Sequence, residues 1–263
     1  MPSQGEIEYW KRRKQKMSRE RLFVANGLAL LTHTITQPMD LIKMRSLMLQ
    51  EGKTFNGLGF DRGYNPMQLY REIHKQGGGY KIWFSNYEGY LARTIVHTSS
   101  RLWAYLYFYN RLNKDPRRHA RPDRQAMAGL WGGLLAGIVS NPVELVYTRM
   151  QVDDLYKKEA RRNYKSFYDG FLKASEEGAL FDGCIANGLR IAGLVTAATN
   201  MHDFIKENMY YYLGPIPLNR LVSTVAACGI ITGLSMPFDT VRVRMYTQKQ
   251  LPNGKWPYNN LLD

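Results

Sequence analysis

Cysteine is scarce. Cys184 and Cys228 are the only two in 263 residues, which excludes a disulfide scaffold, and no CxxC pair is present to hold zinc. The histidines at 33, 74, 97, 119 and 202 show no ligand spacing, so no metal site is expected. Acid is also in deficit. Against 36 Lys and Arg there are 22 Asp and Glu, a net charge of +14. That balance excludes an acidic disordered chain and points to anionic partners: nucleic acid, acidic lipid, or carboxylate and phosphate ligands. Gln76-Gly77-Gly78-Gly79-Tyr80-Lys81 is glycine-rich but lacks the GK(S/T) ending of a phosphate-binding loop. There is no nucleophile–base constellation, so neither enzyme activity nor an organic cofactor is expected. The basic N-terminal segment, 1–19, contains Glu6 and Glu8 beside Lys11–Lys16. It has no apolar core of the secretory type and is not acid-poor like a transit peptide; it suits a lipid headgroup surface.

Charge is missing altogether from three stretches: 22–39 (18 residues), 125–143 (19) and 221–238 (18), each opening just after an arginine. A bilayer core takes about 20 helical residues, so each is long enough to span. One such run could be a buried core helix; three of matched length are harder to explain that way.

All three runs end alike. The chain reads Pro38-Met39-Asp40-Leu41-Ile42-Lys43-Met44-Arg45, then Pro142-Val143-Glu144-Leu145-Val146-Tyr147-Thr148-Arg149, then Pro237-Phe238-Asp239-Thr240-Val241-Arg242-Val243-Arg244. The pattern is Pro-x-acid-x-x-base-x-Arg, broken only at Tyr147, and the acids stand 104 and 95 residues apart. Tyr64, Tyr164 and Tyr258 follow the three prolines by 26, 22 and 21 residues. Amphipathic stretches at 67–75 and 171–177 come next and reach glycine. The spacing predicts long helices at 20–49, 86–113, 124–153, 188–212 and 217–248, with short surface helices between them.

The even-numbered long helices are more polar. Arg93, His97, Arg101 and Tyr105 recur every four residues, one slowly drifting stripe on a helix otherwise apolar; Arg190, His202, Asp203 and Lys206 mark the other. Ionisable groups on a membrane helix face protein or water, so these stripes suit the wall of a wet cavity, and equally the solvated face of a soluble helix. Gly129, Gly133 and Gly137 form GxxxGxxxG, and Gly229 with Gly233 a second GxxxG, spacings that allow close helix contact.

The three in-phase copies resemble the signature of the mitochondrial carrier family, and the resemblance runs from about residue 20 onward. It implies an all-α membrane protein: a threefold-repeat carrier bundle with repeats at 20–115, 116–213 and 214–263. The third repeat is truncated, leaving five of the six transmembrane helices plus short matrix surface helices. His97–Tyr105, Arg161–Phe167 and Gly183–Gly193, together with the missing base at Tyr147, resemble the 2-oxoglutarate/malate carrier branch. On that resemblance Arg93, His97, Arg101 and Arg190 line a cavity for a dicarboxylate ligand, where the planar fork of arginine suits a carboxylate. Pro38, Asp40, Lys43, Pro142, Glu144, Tyr147, Pro237, Asp239 and Arg242 form a matrix gate. Prolines bend the helices, acids and bases pair between neighbours, and Tyr147 can only hydrogen-bond. Cardiolipin is the expected lipid partner, at Tyr168-Asp169-Gly170, with Tyr168 and Gly170 carrying the pattern. The implied location is the mitochondrial inner membrane, multi-pass, N-terminus toward the intermembrane space and C-terminus toward the matrix.

Three functions follow from the residues. The family's opposite gate is eroded at Tyr109-Asn110-Arg111-Leu112-Asn113, where acid and base are both absent, and at His202-Asp203-Phe204-Ile205-Lys206, where the aromatic is absent. With the absent sixth helix, these changes favour an accessory subunit of a larger membrane assembly, such as a respiratory complex. Other subunits would cover the open side, and independent transport would be impaired. The second function is a working dicarboxylate antiporter completed by a partner chain. The third is a soluble basic nucleic-acid binder, favoured by Lys11–Lys16 and opposed by the charge-free runs; no nucleic acid is expected as partner.

Overall fold

The structure is a computed structural model describing residues 4–51, 67–71, 73–75, 84, 86–113, 121–156, 161–213, 217–248 and 258. Tyr64, Gly77–Gly79 and Tyr80–Trp83 lie outside the described residues. So do the side chains of Lys11–Lys16, His202, Asp203 and Lys206.

Five long helices run through the described residues: α1 (Gln4–Glu51), α2 (Tyr87–Leu112), α3 (Pro122–Val152), α5 (Cys184–Leu213) and α6 (Pro217–Thr247). A short helix, α4 (Phe167–Glu176), lies between α3 and α5. Four of the long helices begin and end within about four residues of their sequence expectations; α1 does not. It runs back to Gln4 instead of starting near residue 20. Between Gly5 and Gly27 the sequence has neither proline nor glycine and is rich in Glu, Lys, Arg, Gln and Met, all good helix formers, so nothing there stops the helix. The short helix also starts earlier than the expected 171, because Ser166 caps it and accepts a hydrogen bond from the Asp169 N–H at 3.2 Å. Pro38, Pro142 and Pro237 all sit inside helices that continue past them.

Packing is centred on α3, which contacts α2 on one side and α5 on the other; α5 in turn packs on α6. Ala104 of α2, Ala136 of α3, and Ile191 and Val195 of α5 share one cluster. Glycine lets α3 and α5 approach this closely. A Cβ at Gly133 or Gly137 would fall on the backbone of Ala192 or Gly188, and one at Gly129 would lie 3.0 Å from Thr196. The second GxxxG behaves differently: Gly229 and Gly233 have no atom within 4 Å of such a Cβ among the described residues. Among the described residues their face of α6 therefore makes no close helix contact of the kind expected.

The helix α1 leans on α2, where the Asn26 amide donates to Ser99 Oγ at 3.0 Å, and meets α3 and α6 at its C-terminal end. There Met44, Met48, Val152, Tyr156 and Val243 form one apolar cluster. The short helices occupy matching seats. Leu69 and Ile73, in helical residues 67–71 and 73–75, pack on Leu41, and Ala174 of α4 packs in the cluster of Leu145 and Val146. Leu41 and Leu145 each stand three residues past their motif proline.

Polarity is inverted relative to a water-soluble bundle. Arg149, Arg242, Glu144, Asn187 and Asp239 are buried, while Phe23, Leu31, Ile35, Trp103, Leu221, Val225 and Leu234 are exposed. By length and composition alone, 122–155 and 221–247 can cross a membrane. The polar residues of α2 and α5 point inward instead: Thr94, Thr98 and Ser100 of α2 and Asn187 and Arg190 of α5 are buried, as Ile95, Trp103 and Tyr107 face out. Apolar outside and polar inside is the distribution a lipid solvent requires.

Candidate functional site: a closed acid–base ring beneath a polar stripe

The C-terminal halves of α1, α3 and α6 converge with the N-terminal halves of α2 and α5, and the charged residues of all five helices meet there. The three motif acids form the frame. Lys43 pairs with Asp239 across α1 and α6, and Arg242 pairs with Glu144 across α6 and α3. In each case the base five residues past one proline meets the acid two residues past another. Arg242 Nη2 also reaches Asp239 Oδ1 within its own helix at 2.9 Å. Glu144 and Arg242 are fully buried, a setting in which a partnered charge is tolerable and an orphan is very costly.

At the third junction, between α3 and α1, Tyr147 stands opposite Asp40. The expected phenol–carboxylate contact is not what joins them. The Tyr147 hydroxyl accepts from the Gln151 side-chain amide, and Asp40 Oδ2 instead receives Arg93 Nη1 at 3.3 Å. The Arg93 guanidinium lies 4.9 Å from the Tyr147 ring centroid, within cation–π range.

The candidate substrate residues therefore divide. Arg93, His97 and Arg190 reach down into the ring. Arg190 lies 3.3 Å from Glu144 and 3.5 Å from Asp239, Arg93 Nε 3.6 Å from Glu144, and His97 Nδ1 3.2 Å from Glu144 Oε1, off the line of a hydrogen bond. Arg101 is exposed and has no carboxylate within ion-pair distance among the described residues. Eight residues beyond Arg93 it stands roughly 12 Å further along α2. Four cations, Lys43, Arg93, Arg190 and Arg242, face three carboxylates in the ring. The excess is positive, and Arg101 adds to it.

Sequence reasoning missed a second layer. The last arginines of the first two motifs do not join the ring. Arg45 Nε donates to the Gln151 carbonyl at 3.2 Å, and Arg149 Nε to the Tyr246 carbonyl at 2.7 Å. Both acceptors lie nine residues past the proline of the next odd helix, so these two motif arginines each satisfy a carbonyl near the neighbour's helix end. Arg149 also donates to Glu177 at 2.7 Å, which binds Arg162 at 3.2 Å. The eighth position of the repeated pattern was the available signal.

Outside the spanning helices, Asp169 lies in the first turn of α4. The Lys165 N–H and then the Lys173 ammonium, each at 3.0 Å, hold its carboxyl below the ordinary 3.8. Burial pushes the Tyr164 phenol above its ordinary 10.0. Tyr168 is exposed, whereas a Cβ at Gly170 would meet Val146 Cγ1 at 2.8 Å. Packing on α3 is thus reason enough for that glycine.

The sequence comparisons agree with this geometry. Residues 119–213 match the family model described as mitochondrial carrier protein. All 263 residues align at 50% identity with 71% of the macronuclear solute carrier homolog CR-MSC of Oxytricha fallax. The mitochondrial 2-oxoglutarate/malate carrier protein of Mus musculus is 27% identical over 251 residues, covering 92% of this chain and 76% of that protein. The mitochondrial dicarboxylate/tricarboxylate transporter DTC of Arabidopsis thaliana is 26% identical over 247 residues, covering 92% and 78%. With the repeated acid–base motif closed into a ring by five polar-cored helices, the chain belongs to the mitochondrial carrier family.

Proposed function

We propose that this chain is a multi-pass carrier of the mitochondrial inner membrane that exchanges dicarboxylates of the 2-oxoglutarate and malate type. The N-terminus lies toward the intermembrane space, and the acid–base ring serves as the matrix gate. The observation that carries the reading is the charge imbalance: four cations against three carboxylates, with Arg101 unpaired above them among the described residues. A dianion entering the polar stripe completes that balance, and arginine forks hold its carboxylates with direction as well as charge. Carriers bind and release without covalent chemistry, so no catalytic residue or cofactor is assigned. Reconstituted in liposomes, the chain is expected to exchange external malate for internal 2-oxoglutarate, and Arg101→Ala is expected to abolish exchange while leaving assembly intact. Absence of both exchange and any dicarboxylate-dependent thermal shift refutes the reading.

A second reading, an accessory subunit of a larger membrane assembly such as a respiratory complex, with impaired transport, rests on residues 109–113. Asn110 and Arg111 are exposed at the end of α2, where the family's opposite gate would need an acid and a base in register. The apolar faces of α1 and α6 would then be covered by neighbouring subunits or by cardiolipin. Comigration with a defined complex on native gels, with no exchange by the purified chain, selects this reading.

A further inference from the structure

We propose that Arg93 is the third cation of the gate, replacing the base absent at Tyr147. Because it also lines the cavity, it ties opening of that junction to substrate binding. The second half rests on the dicarboxylate reading above; the first does not.

The ring has a direction. At two of its three junctions the base five residues past a proline reaches an acid on a neighbouring odd helix: Lys43 to Asp239 and Arg242 to Glu144. The same rule would send residue 147 to Asp40, and residue 147 is a neutral phenol. A guanidinium arrives there from a different helix. Arg93, on α2, lies 3.3 Å from Asp40 Oδ2 and 3.6 Å from Glu144 Oε1, with its plane carbon 4.9 Å from the Tyr147 ring centroid. Tyrosine thus serves as a platform for the incoming cation. Lysine or arginine at 147 would set a like charge against it. Tyr147 and Arg93 form a matched pair, not a defect and a bystander.

Asp40 is the most exposed of the three ring acids. The Asp40 side chain is 29% exposed, against 1% for Glu144 and 5% for Asp239. A hydrated pair is held more weakly than a buried one, so this contact is weaker than the fully buried Arg242–Glu144 pair, and Lys43, 38% exposed, is hydrated at its own junction too. Arg93 belongs to the stripe that continues through His97 to Arg101. One guanidinium fork cannot hold the Asp40 carboxylate and a substrate carboxylate bidentately together. A bound dianion that takes Arg93 leaves Asp40 without its guanidinium beside a neutral phenol, and the α1–α3 junction loosens while the other two stay paired. With a lysine at 147 the ring would close without reference to the cavity.

The test uses the full chain in detergent and in liposomes. Without substrate, Arg93→Gln is expected to lower the melting temperature by about 3 °C, the scale of one partly hydrated pair in a chain of this size. Tyr147→Lys alone is expected to lower it too, and the double variant to return to near the parent value. If Tyr147→Lys alone instead raises the melting temperature, Asp40 was waiting for a base and Arg93 does not occupy the junction. If the double variant melts no higher than Arg93→Gln, the assignment is likewise overturned. Should Arg93→Gln fail to fold, the sign of the Tyr147→Lys shift alone decides.

For the coupling half, Asp40→Asn frees Arg93. The KM for malate is expected to fall severalfold, with efflux appearing in the absence of counter-substrate. An unchanged KM overturns it. Rescue by the double variant in a chain that exchanges no dicarboxylate keeps the gate assignment and removes the dicarboxylate reading; intact exchange without rescue does the reverse.

Discussion

Glu144→Gln is the sharpest perturbation of the ring. The side chain is fully buried; one oxygen is taken by Arg242, and the other lies within 3.6 Å of Arg190, Arg93 and His97. Glutamine keeps the shape, so the loss is one of charge, with an amide N–H₂ turned toward cations. Removing one partner of a buried pair costs about 3–5 kcal/mol. Asp239 remains 2.9 Å from Arg242 and 3.5 Å from Arg190, which places the expected loss near the lower end, about 3 kcal/mol. At about 2–4 °C per kcal/mol for a chain of this size, the melting temperature of the detergent-solubilised protein should fall by about 6–12 °C. Differential scanning fluorimetry measures it. The double variant Glu144→Gln/Arg242→Gln removes the orphan along with its partner and should recover part of the loss, although each single change destabilises. A single variant that melts within about 2 °C of the parent, or a double variant no better than the worse single, would refute the claim that a buried, mutually dependent ring holds this end together.

Gly133→Ala should separate α3 from α5 and destabilise by about 1–3 kcal/mol, because the new methyl falls on the Ala192 backbone. Gly229→Ala, with nothing within 4 Å, should stabilise by up to about 1 kcal/mol through helix propensity; equal effects at the two sites would sink the packing account. Asp169 ties the start of α4 to Lys165 and Lys173. Its folded-state pKa lies below the ordinary 3.8, so its contribution is present above that value and is lost as pH falls through the lower, folded one. The protection of the Lys165 amide against hydrogen exchange, taken relative to its intrinsic rate at each pH, should fall in that acid window and should show no such fall in Asp169→Asn.

The acid–base ring was legible in the sequence because a period is visible without any structure. Three prolines, each followed at fixed offsets by an acid and a base, name their own partners once the helices are placed around an axis. The destination of Arg93 was not legible. Its spacing on α2 announces a polar stripe, but whether the first member of that stripe points up the cavity or down into the ring depends on the rotation of α2 about its axis. Local pattern does not determine that rotation. The same limit applied to glycine. GxxxG reads identically at 129–137 and 229–233, and only the neighbour decides: α5 lies against the first, and nothing among the described residues lies against the second. Arg45 and Arg149 were visible as the last base of the first two motifs, yet the Nε of each donates to a backbone carbonyl, which no side-chain pattern records. The N-terminal extent of α1 was misjudged because a charged segment was read as a separate unit, although charge by itself ends no helix.

The inward-facing charges also constrain how the chain comes to be made. An isolated α2 would carry Arg93 and Arg101 into hydrocarbon at about 2.5–3.5 kcal/mol apiece at mid-depth, and the carboxylate that quiets Arg93 most directly besides Asp40 sits on α3, which is synthesised later. Glu144 in turn has to wait for Arg190 and Arg242 on the two helices that follow. Stepwise, one-at-a-time insertion is therefore uphill until the last of these segments arrives. Biogenesis of such a chain calls for machinery that shelters half-built assemblies from lipid and releases them only when the charges have found one another.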